Sequence, residues 1–157
     1  MTTLERSPRL AELKVSYKRK RPPRKDASPS RLLDSRTAEA YLRSVWNADT
    51  LELVEDFLVV YLDNNHAPLG WARTSSGGLN QTVVDPRVIF GIALQVASSA
   101  VIVAHNHPSG SVQPSGEDVA ITARLRDAGK LLSIPLLDHI ILGKAGFYSF
   151  ADSGNVL

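Results

Sequence analysis

The chain has 157 residues, enough for one domain with a hydrophobic core and too few for two domains of ordinary size. No apolar run approaches the roughly 20 residues that cross a bilayer, and the first residues lack the pattern of a secretory signal, so we expect a cytoplasmic protein with no membrane partner. The sequence contains no cysteine, which excludes disulfides, thiolate catalysis and sulfur ligands for a metal.

Charge is unevenly distributed along the chain. Residues 1–31, here called the basic arm, carry ten Lys or Arg against three Asp or Glu, whereas residues 32–157 carry eight against thirteen. Within the arm, residues 12–18 alternate in the manner of a strand, and residues 21–30 have the Pro, Ser and charge content of an exposed linker. Such an arm either attracts the phosphate backbone of a nucleic acid or is a solvated tail. We therefore predict an arm and linker followed by one folded domain.

The first part of that domain predicts a helix and a hairpin. Ser35 precedes a stretch in which apolar residues recur at helical spacing through Trp46. Residues 57–62, FLVVYL, predict a buried strand that enters a turn at residues 63–65. A second strand through Trp71 would complete the hairpin.

The middle of the domain predicts a second helix and a strand. Asp85 and Pro86 have the character of an N-cap and a first-turn proline, and the helix they begin should run to about Ser98. Because its residues are apolar nearly all round, we expect it to be deeply buried. Residues 100–104, AVIVA, predict a short strand that ends at His105.

The last part predicts one helix and two closing strands. Ser115 has the character of an N-cap, and its helix should last about three turns and end at Gly129. Residues 136–142 and 147–150 predict strands on either side of a glycine-rich turn. Strands interspersed with helices indicate the α/β class.

The stretch HNHPSGSVQPSGED, residues 105–118, is a candidate metal site. In an extended segment His105 and His107 point to the same side, so one metal could bind both. A catalytic zinc needs three protein ligands and an open position, and Asp118 is the nearest candidate for the third ligand. Two other interpretations stay open: Ser115 and Asp118 are spaced as in a capping box, and His-x-His alone is typical of surface loops.

The same stretch resembles a known signature. His-x-His-Pro-Ser-Gly followed by Pro-Ser-x-x-Asp is similar to the JAMM metal motif of the JAB/MPN superfamily, in the form that the RadC family carries. The resemblance covers roughly residues 35–152. It includes these further landmarks: Glu55-Asp56-Phe57, Asp85-Pro86-Arg87, Thr122 and the segment LDHII at residues 137–141. It implies a single-domain, cytidine-deaminase-like α/β fold in which helices flank a mixed β-sheet.

The resemblance also implies roles for site residues. One zinc per chain would be held by His105, His107 and Asp118. Ser115 would donate a hydrogen bond to the developing oxyanion in addition to capping its helix. Nitrogen and oxygen ligands with an open position suit zinc best, and they tolerate cobalt, nickel or iron.

An upstream glutamate is the expected general base in this family. Glu52, Glu55 and Asp56 lie close together, and the motif alone does not choose among them. We choose Glu55 because it immediately precedes the strand FLVVYL. Asp138 and His139 are a polar pair inside an apolar strand, and we expect them to form a buried hydrogen-bonded pair that supports the site.

The function that follows is a zinc metallopeptidase acting on peptide or isopeptide bonds. Two alternatives remain: a DNA-associated repair, recombination or nuclease accessory protein that uses the basic arm, and a non-catalytic interaction module. Longer RadC proteins carry a helix-hairpin-helix region before the JAB domain, and we expect this chain to be a stand-alone JAB domain with the arm in that place. The oligomeric state does not follow from the sequence.

Overall fold

The computed structural model describes residues 31–77 and 84–157. The strand predicted at residues 12–18 and the linker predicted at residues 21–30 lie outside the described residues. No helix in the described part is long and apolar enough to cross a membrane. The elements, in chain order, are α1 (Ser35–Val45), a short 3-10 turn (Ala48–Thr50), β1 (Asp56–Leu62), β2 (Pro68–Ser76), α2 (Pro86–Gln95), β3 (Ala100–Asn106), α3 (Gly116–Leu132), β4 (Leu136–Leu142), β5 (Phe147–Ser149) and α4 (Phe150–Ser153).

The five strands form one mixed sheet in the order β2-β1-β3-β4-β5. β1 pairs antiparallel with β2 and with β3, β3 runs parallel to β4, and β5 returns antiparallel to β4. The parallel pair requires a crossover connection, and α3 provides it. The predicted hairpin is confirmed, and so is the predicted α/β fold with a mixed sheet flanked by helices.

Helices cover both faces of the sheet, which explains the continuous apolar runs of its central strands. Every residue of β1 and of β3 is buried. Because side chains alternate along a strand, the side chains on the two faces of the sheet pack into two separate hydrophobic cores. On one face Leu42 and Trp46 of α1 pack against the sheet, and on the other Ile89 and Phe90 of α2 and Leu125 of α3 do so.

The expectation that α2 is deeply buried is wrong. Its side chains Ile89 and Phe90 are buried, but Val88 and Leu94 are 46% and 59% exposed. The reason is that α2 lies on one face of the sheet, so that only one side of the helix meets the core. The helix also ends at Gln95, before the expected end near Ser98.

Helix α3 is longer than predicted and contains Gly129 in its last turns rather than ending there. A Cβ at Gly129 would overlap the carbonyl oxygen of Ile134 and approach the Phe90 ring to 3.2 Å. This glycine therefore serves close packing inside a helix of 17 residues. The helix ends at Leu132, and its C-cap Ser133 adopts the left-handed conformation with φ of 57°.

Candidate metal centre

Two histidines lie where β3 leaves the sheet. His105 is inside the strand and 1% exposed, whereas His107 follows its end and is half-buried. Their Nε2 atoms lie 2.9 Å apart. Just beyond them the Gly110 N–H donates to the His107 carbonyl at 2.9 Å, and Gly110 has a φ of +77°, which favours glycine. The strand end thus presents both imidazoles to one side, as their spacing predicts.

Asp118 reaches the same place from the first turn of α3. Its Oδ1 lies 3.0 Å from His105 Nε2, and its Oδ2 lies 3.4 Å from His107 Nε2. The ligand atoms that these three residues offer all lie within 4.8 Å of one another. In the described ranges this is the one group of three or more His, Asp or Glu side chains with such a spacing.

Ser115 and Asp118 also form a capping box at the start of α3. The Ser115 N–H and hydroxyl both donate to Asp118 Oδ2 at 2.7 Å, and the Asp118 N–H donates to Ser115 Oγ at 3.1 Å. The cap occupies Oδ2, while Oδ1 faces His105. The capping interpretation and the ligand interpretation of this pattern are therefore compatible.

The charges of Asp118 and the two imidazoles are coupled. Burial alone would raise the pKa of the Asp118 carboxyl, but hydrogen bonds from His105 and His107 outweigh it and hold that pKa far below its usual range. The hydrogen bond to Asp118 raises the pKa of His107; burial works against this rise, and the charge of Glu55 adds to it. Asp118 is therefore ionised at neutral pH, as a metal ligand must be.

Comparison with known families decides where the chain belongs. A family model described as "RadC-like JAB domain" matches residues 32–155. The chain is a member of this family. The resemblance drawn from the His-x-His loop is thereby confirmed, and the match extends slightly beyond the predicted residues 35–152.

Several curated relatives of this RadC-like JAB domain carry the name "UPF0758 protein". One from Geotalea uraniireducens is 48% identical over 100 residues, which are 64% of this chain and 44% of the relative. Others are from Alkaliphilus metalliredigens, 47% identical over 98 residues (62% and 42%), and Methanosarcina mazei, 45% identical over 102 residues (65% and 44%). The alignments span less than half the length of these relatives, and their name describes no activity.

The donor set of this JAB domain fits a divalent metal. His107 Nδ1 lies 3.0 Å from the Ser111 carbonyl oxygen, which can only accept, so Nδ1 carries a hydrogen and Nε2 is the nitrogen left to bind a metal. Two imidazole nitrogens and a carboxylate oxygen with room for a fourth ligand are typical of catalytic zinc sites. His105, His107 and Asp118 could therefore hold the zinc that a JAMM motif implies.

The expected buried hydrogen-bonded pair of Asp138 and His139 forms through the His139 backbone N–H, but the two side chains do not bind each other. Successive residues of a strand point to opposite faces, so the two side chains separate. The Asp138 carboxylate accepts from Ser149 Oγ at 2.7 Å, from the Ala151 N–H at 3.0 Å and from the backbone N–H of His139. The His139 ring turns to the other face and places its Nε2 2.8 Å from His105 Nδ1. Burial lowers the pKa of His139 well below its ordinary value, so this ring is neutral.

The three acids before and in β1 occupy different surroundings in this JAB domain. Glu52 is exposed and forms an ion pair with Lys144 at 2.9 Å. Asp56 is buried within the sheet. Glu55 is half-buried, and its charge contributes to the raised pKa of His107. Glu55 is therefore an acid whose charge acts on a candidate metal ligand.

Asn106 lies between the two histidines and was not among the predicted site residues. Its Oδ1 accepts from the Asp56 N–H at 2.8 Å, and its Nδ2 donates to the carbonyls of Leu51 at 2.6 Å and Val54 at 2.9 Å. These bonds hold the backbone immediately before and after Glu55. The available signal was a carboxamide inside an apolar strand, because a buried amide requires hydrogen-bond partners.

Proposed function

We propose that this chain is a zinc-dependent hydrolase of peptide or isopeptide bonds, a metallopeptidase of the JAMM type. The observation that carries the proposal is the convergence of His105 Nε2, His107 Nε2 and the Asp118 carboxylate at the end of β3. These residues would hold one zinc per chain and leave a position open for substrate. Membership of the RadC-like JAB domain family supports the same reaction class.

The chain's own residues would move the protons of this reaction. When bound, zinc supplies a Lewis acid that polarises the scissile carbonyl and lowers the pKa of water to about 7. The Glu55 carboxylate accepts a proton from the attacking water. It then passes this proton to the nitrogen of the leaving amine as the carbon–nitrogen bond breaks.

Ser115 is proposed to stabilise the negative charge that develops on the carbonyl oxygen. Its hydroxyl donates to Asp118 Oδ2 at 2.7 Å and must turn toward the substrate to take this role. The Ser115 N–H also donates to Oδ2, so the carboxylate keeps one bond from Ser115 when the hydroxyl turns.

Substitution of Glu55→Gln tests the proposed base. We expect hydrolysis to fall by roughly 10²–10⁴-fold, since the amide accepts no proton, while zinc per chain stays unchanged. Cleavage of a peptide library and of a lysine isopeptide library, followed by mass spectrometry, and metal analysis measure both quantities. Glu52→Gln is the matched control, because Glu52 pairs with Lys144 at the surface. This substitution should change neither the rate of hydrolysis nor the zinc content per chain.

Three results would count against this proposal. Full activity in Glu55→Gln would remove Glu55 from the mechanism. Loss of activity in Glu52→Gln alone would transfer the role to that residue. A zinc-loaded wild-type chain that cleaves no member of either library would contradict the hydrolase itself.

A second candidate function is nucleic-acid binding through the basic arm, as expected of a DNA-associated accessory protein. The charge of the arm favours it, with ten Lys or Arg against three Asp or Glu. We expect affinity for DNA or RNA to fall steeply with increasing salt and to be lost on deletion of residues 1–31. Binding that ignores salt, or that the truncated chain retains, would contradict this function.

A further inference from the structure

The two candidate histidine ligands have different partners on the side away from the metal site. His107 Nδ1 faces the Ser111 carbonyl, which fixes its tautomer directly because a carbonyl only accepts. His105 Nδ1 instead faces His139 Nε2 at 2.8 Å, and each of these nitrogens is able to donate or to accept. Whether His105 Nδ1 carries a hydrogen therefore depends on the state of His139.

His139, as a neutral imidazole, carries one ring hydrogen, on either Nδ1 or Nε2. Its ring is wholly buried and stacks on Phe150, with ring centroids 4.9 Å apart. A neutral imidazole has one donor nitrogen and one acceptor nitrogen. The Nδ1 of His139 lies 2.6 Å from Thr122 Oγ1. Whether His139 accepts from His105 is therefore decided by Thr122.

The Thr122 hydroxyl hydrogen is used in a hydrogen bond to the main chain. It is fully buried in α3, and its Oγ1 donates to the Asp118 carbonyl one turn earlier. The Thr122 oxygen must then accept from His139 Nδ1–H. As a result His139 Nε2 accepts from His105 Nδ1–H, and Nε2 is the His105 nitrogen that can bind a metal once it releases the hydrogen it donates to Asp118 Oδ1, 3.0 Å away.

We propose that Thr122 and His139 are positioning residues that hold a hydrogen on His105 Nδ1 and so direct its Nε2 to the metal. This relay of hydrogen bonds ends on the main chain of Asp118, whose carboxylate is the third candidate ligand. The inference rests on the metal site of the proposed function and is independent of whether hydrolysis occurs. Partners of ligating histidines typically change metal affinity by about 10–100-fold.

Two measurements test the relay. Long-range ¹H–¹⁵N correlation spectra of the metal-free wild-type chain should show a hydrogen on Nδ1 of both His105 and His139 and none on Nε2 of His139. Zinc affinity, from competition with a chromophoric chelator, should be about 10–100-fold weaker in Thr122→Val, which replaces the hydroxyl by a methyl group of similar size. Thr122→Ser keeps the hydroxyl and should stay within about threefold of the wild-type affinity.

A His105 Nδ1 without a hydrogen, or a His139 Nε2 with one, would overturn the proposal. So would equal affinities of Thr122→Val and Thr122→Ser. The wild-type spectrum needs no variant, so it decides the question even if Thr122→Val fails to fold. A chain with the expected tautomers and affinities that hydrolyses no peptide bond would support the relay and contradict only the hydrolase.

Discussion

Three consecutive residues at the end of β3, His105, Asn106 and His107, point their side chains alternately to opposite sides of the chain. His105 and His107 point to the candidate metal centre, while the Asn106 side chain binds the backbone on both sides of Glu55. The alternation of a strand makes this division possible. We infer that one strand end both supplies two metal ligands and fixes the position of the proposed base.

Replacement of Asn106→Ala should destabilise the fold without removing the metal ligands. We expect the free energy of unfolding in urea to fall by roughly 2–4 kcal/mol, since each buried group left unpaired costs about 1–3 kcal/mol. Zinc per chain should stay at the wild-type value. Asn65→Ala, at an exposed turn, is the matched control and should change stability by less than about 0.5 kcal/mol. Equal stabilities of the two variants would contradict the role of Asn106.

Zinc affinity should depend on pH through His107. Its hydrogen bond to Asp118 raises its pKa, and a protonated imidazole cannot bind a metal. Affinity should therefore fall as the pH decreases through this raised pKa. The stability of the metal-free chain depends on pH in the opposite direction. The contribution of the His107–Asp118 pair to stability is complete below the pKa of His107 in the unfolded chain, about 6.5, and is lost as the pH rises through the pKa of His107 in the folded chain.

The pH dependence of zinc affinity and that of the stability of the metal-free chain can both be measured from about pH 5.5 to about pH 8. His107→Gln is the control that lacks the titrating ring. The difference in unfolding free energy between the metal-free wild-type chain and this variant should decrease with rising pH. A difference that increases over the same range would show that the assigned ion pair is wrong.

Local spacing accounts for the part of the site that the sequence predicts. His105 and His107 are two residues apart on a strand, and Ser115 and Asp118 form a helix cap, so both patterns are visible in a short window. Asn106 instead meets Asp56 from 50 residues away in the chain. Contacts at that distance depend on the pairing of β1 with β3, which the sequence alone does not specify.

At the scale of elements, packing determines where helices α2 and α3 meet. The expectation that Gly129 ends α3 followed from the frequency of glycine just after helices. In the structure the missing Cβ of Gly129 lets α3 approach the Phe90 ring of α2. The strands were easier to predict, because helices on both faces leave continuous apolar runs in β1 and β3.

Two glycine substitutions test this account of α3. Gly129→Ala should lower the free energy of unfolding by about 1–3 kcal/mol, because the new Cβ overlaps the Ile134 carbonyl. Gly91→Ala is the matched control within α2: apart from its own helix, no atom of the described residues lies within 4 Å of its added Cβ, and it should raise stability by about 0.5–1 kcal/mol. Urea unfolding measures both. A Gly129→Ala variant as stable as Gly91→Ala would show that close packing at Gly129 is not needed.

At the scale of the whole molecule, the sheet order assembles the candidate centre from distant segments. Because β1 pairs with β3, Phe57 lies opposite His105, and Glu55 therefore precedes the strand beside the ligands. The crossover helix α3 then brings Asp118 back to the end of β3. The family match begins at residue 32, while the division into a basic arm and a domain stays a prediction.

Metal content tests the central claim most directly. We expect elemental analysis of the chain, purified without an affinity tag and supplied with zinc, to give about one zinc per chain. His107→Ala and Asp118→Ala should both lose it, whereas Glu52→Gln should retain it. If the wild-type chain binds no zinc, or if both ligand variants keep it, then His105, His107 and Asp118 are not a metal site, and the hydrolase gives way to the non-catalytic interaction module.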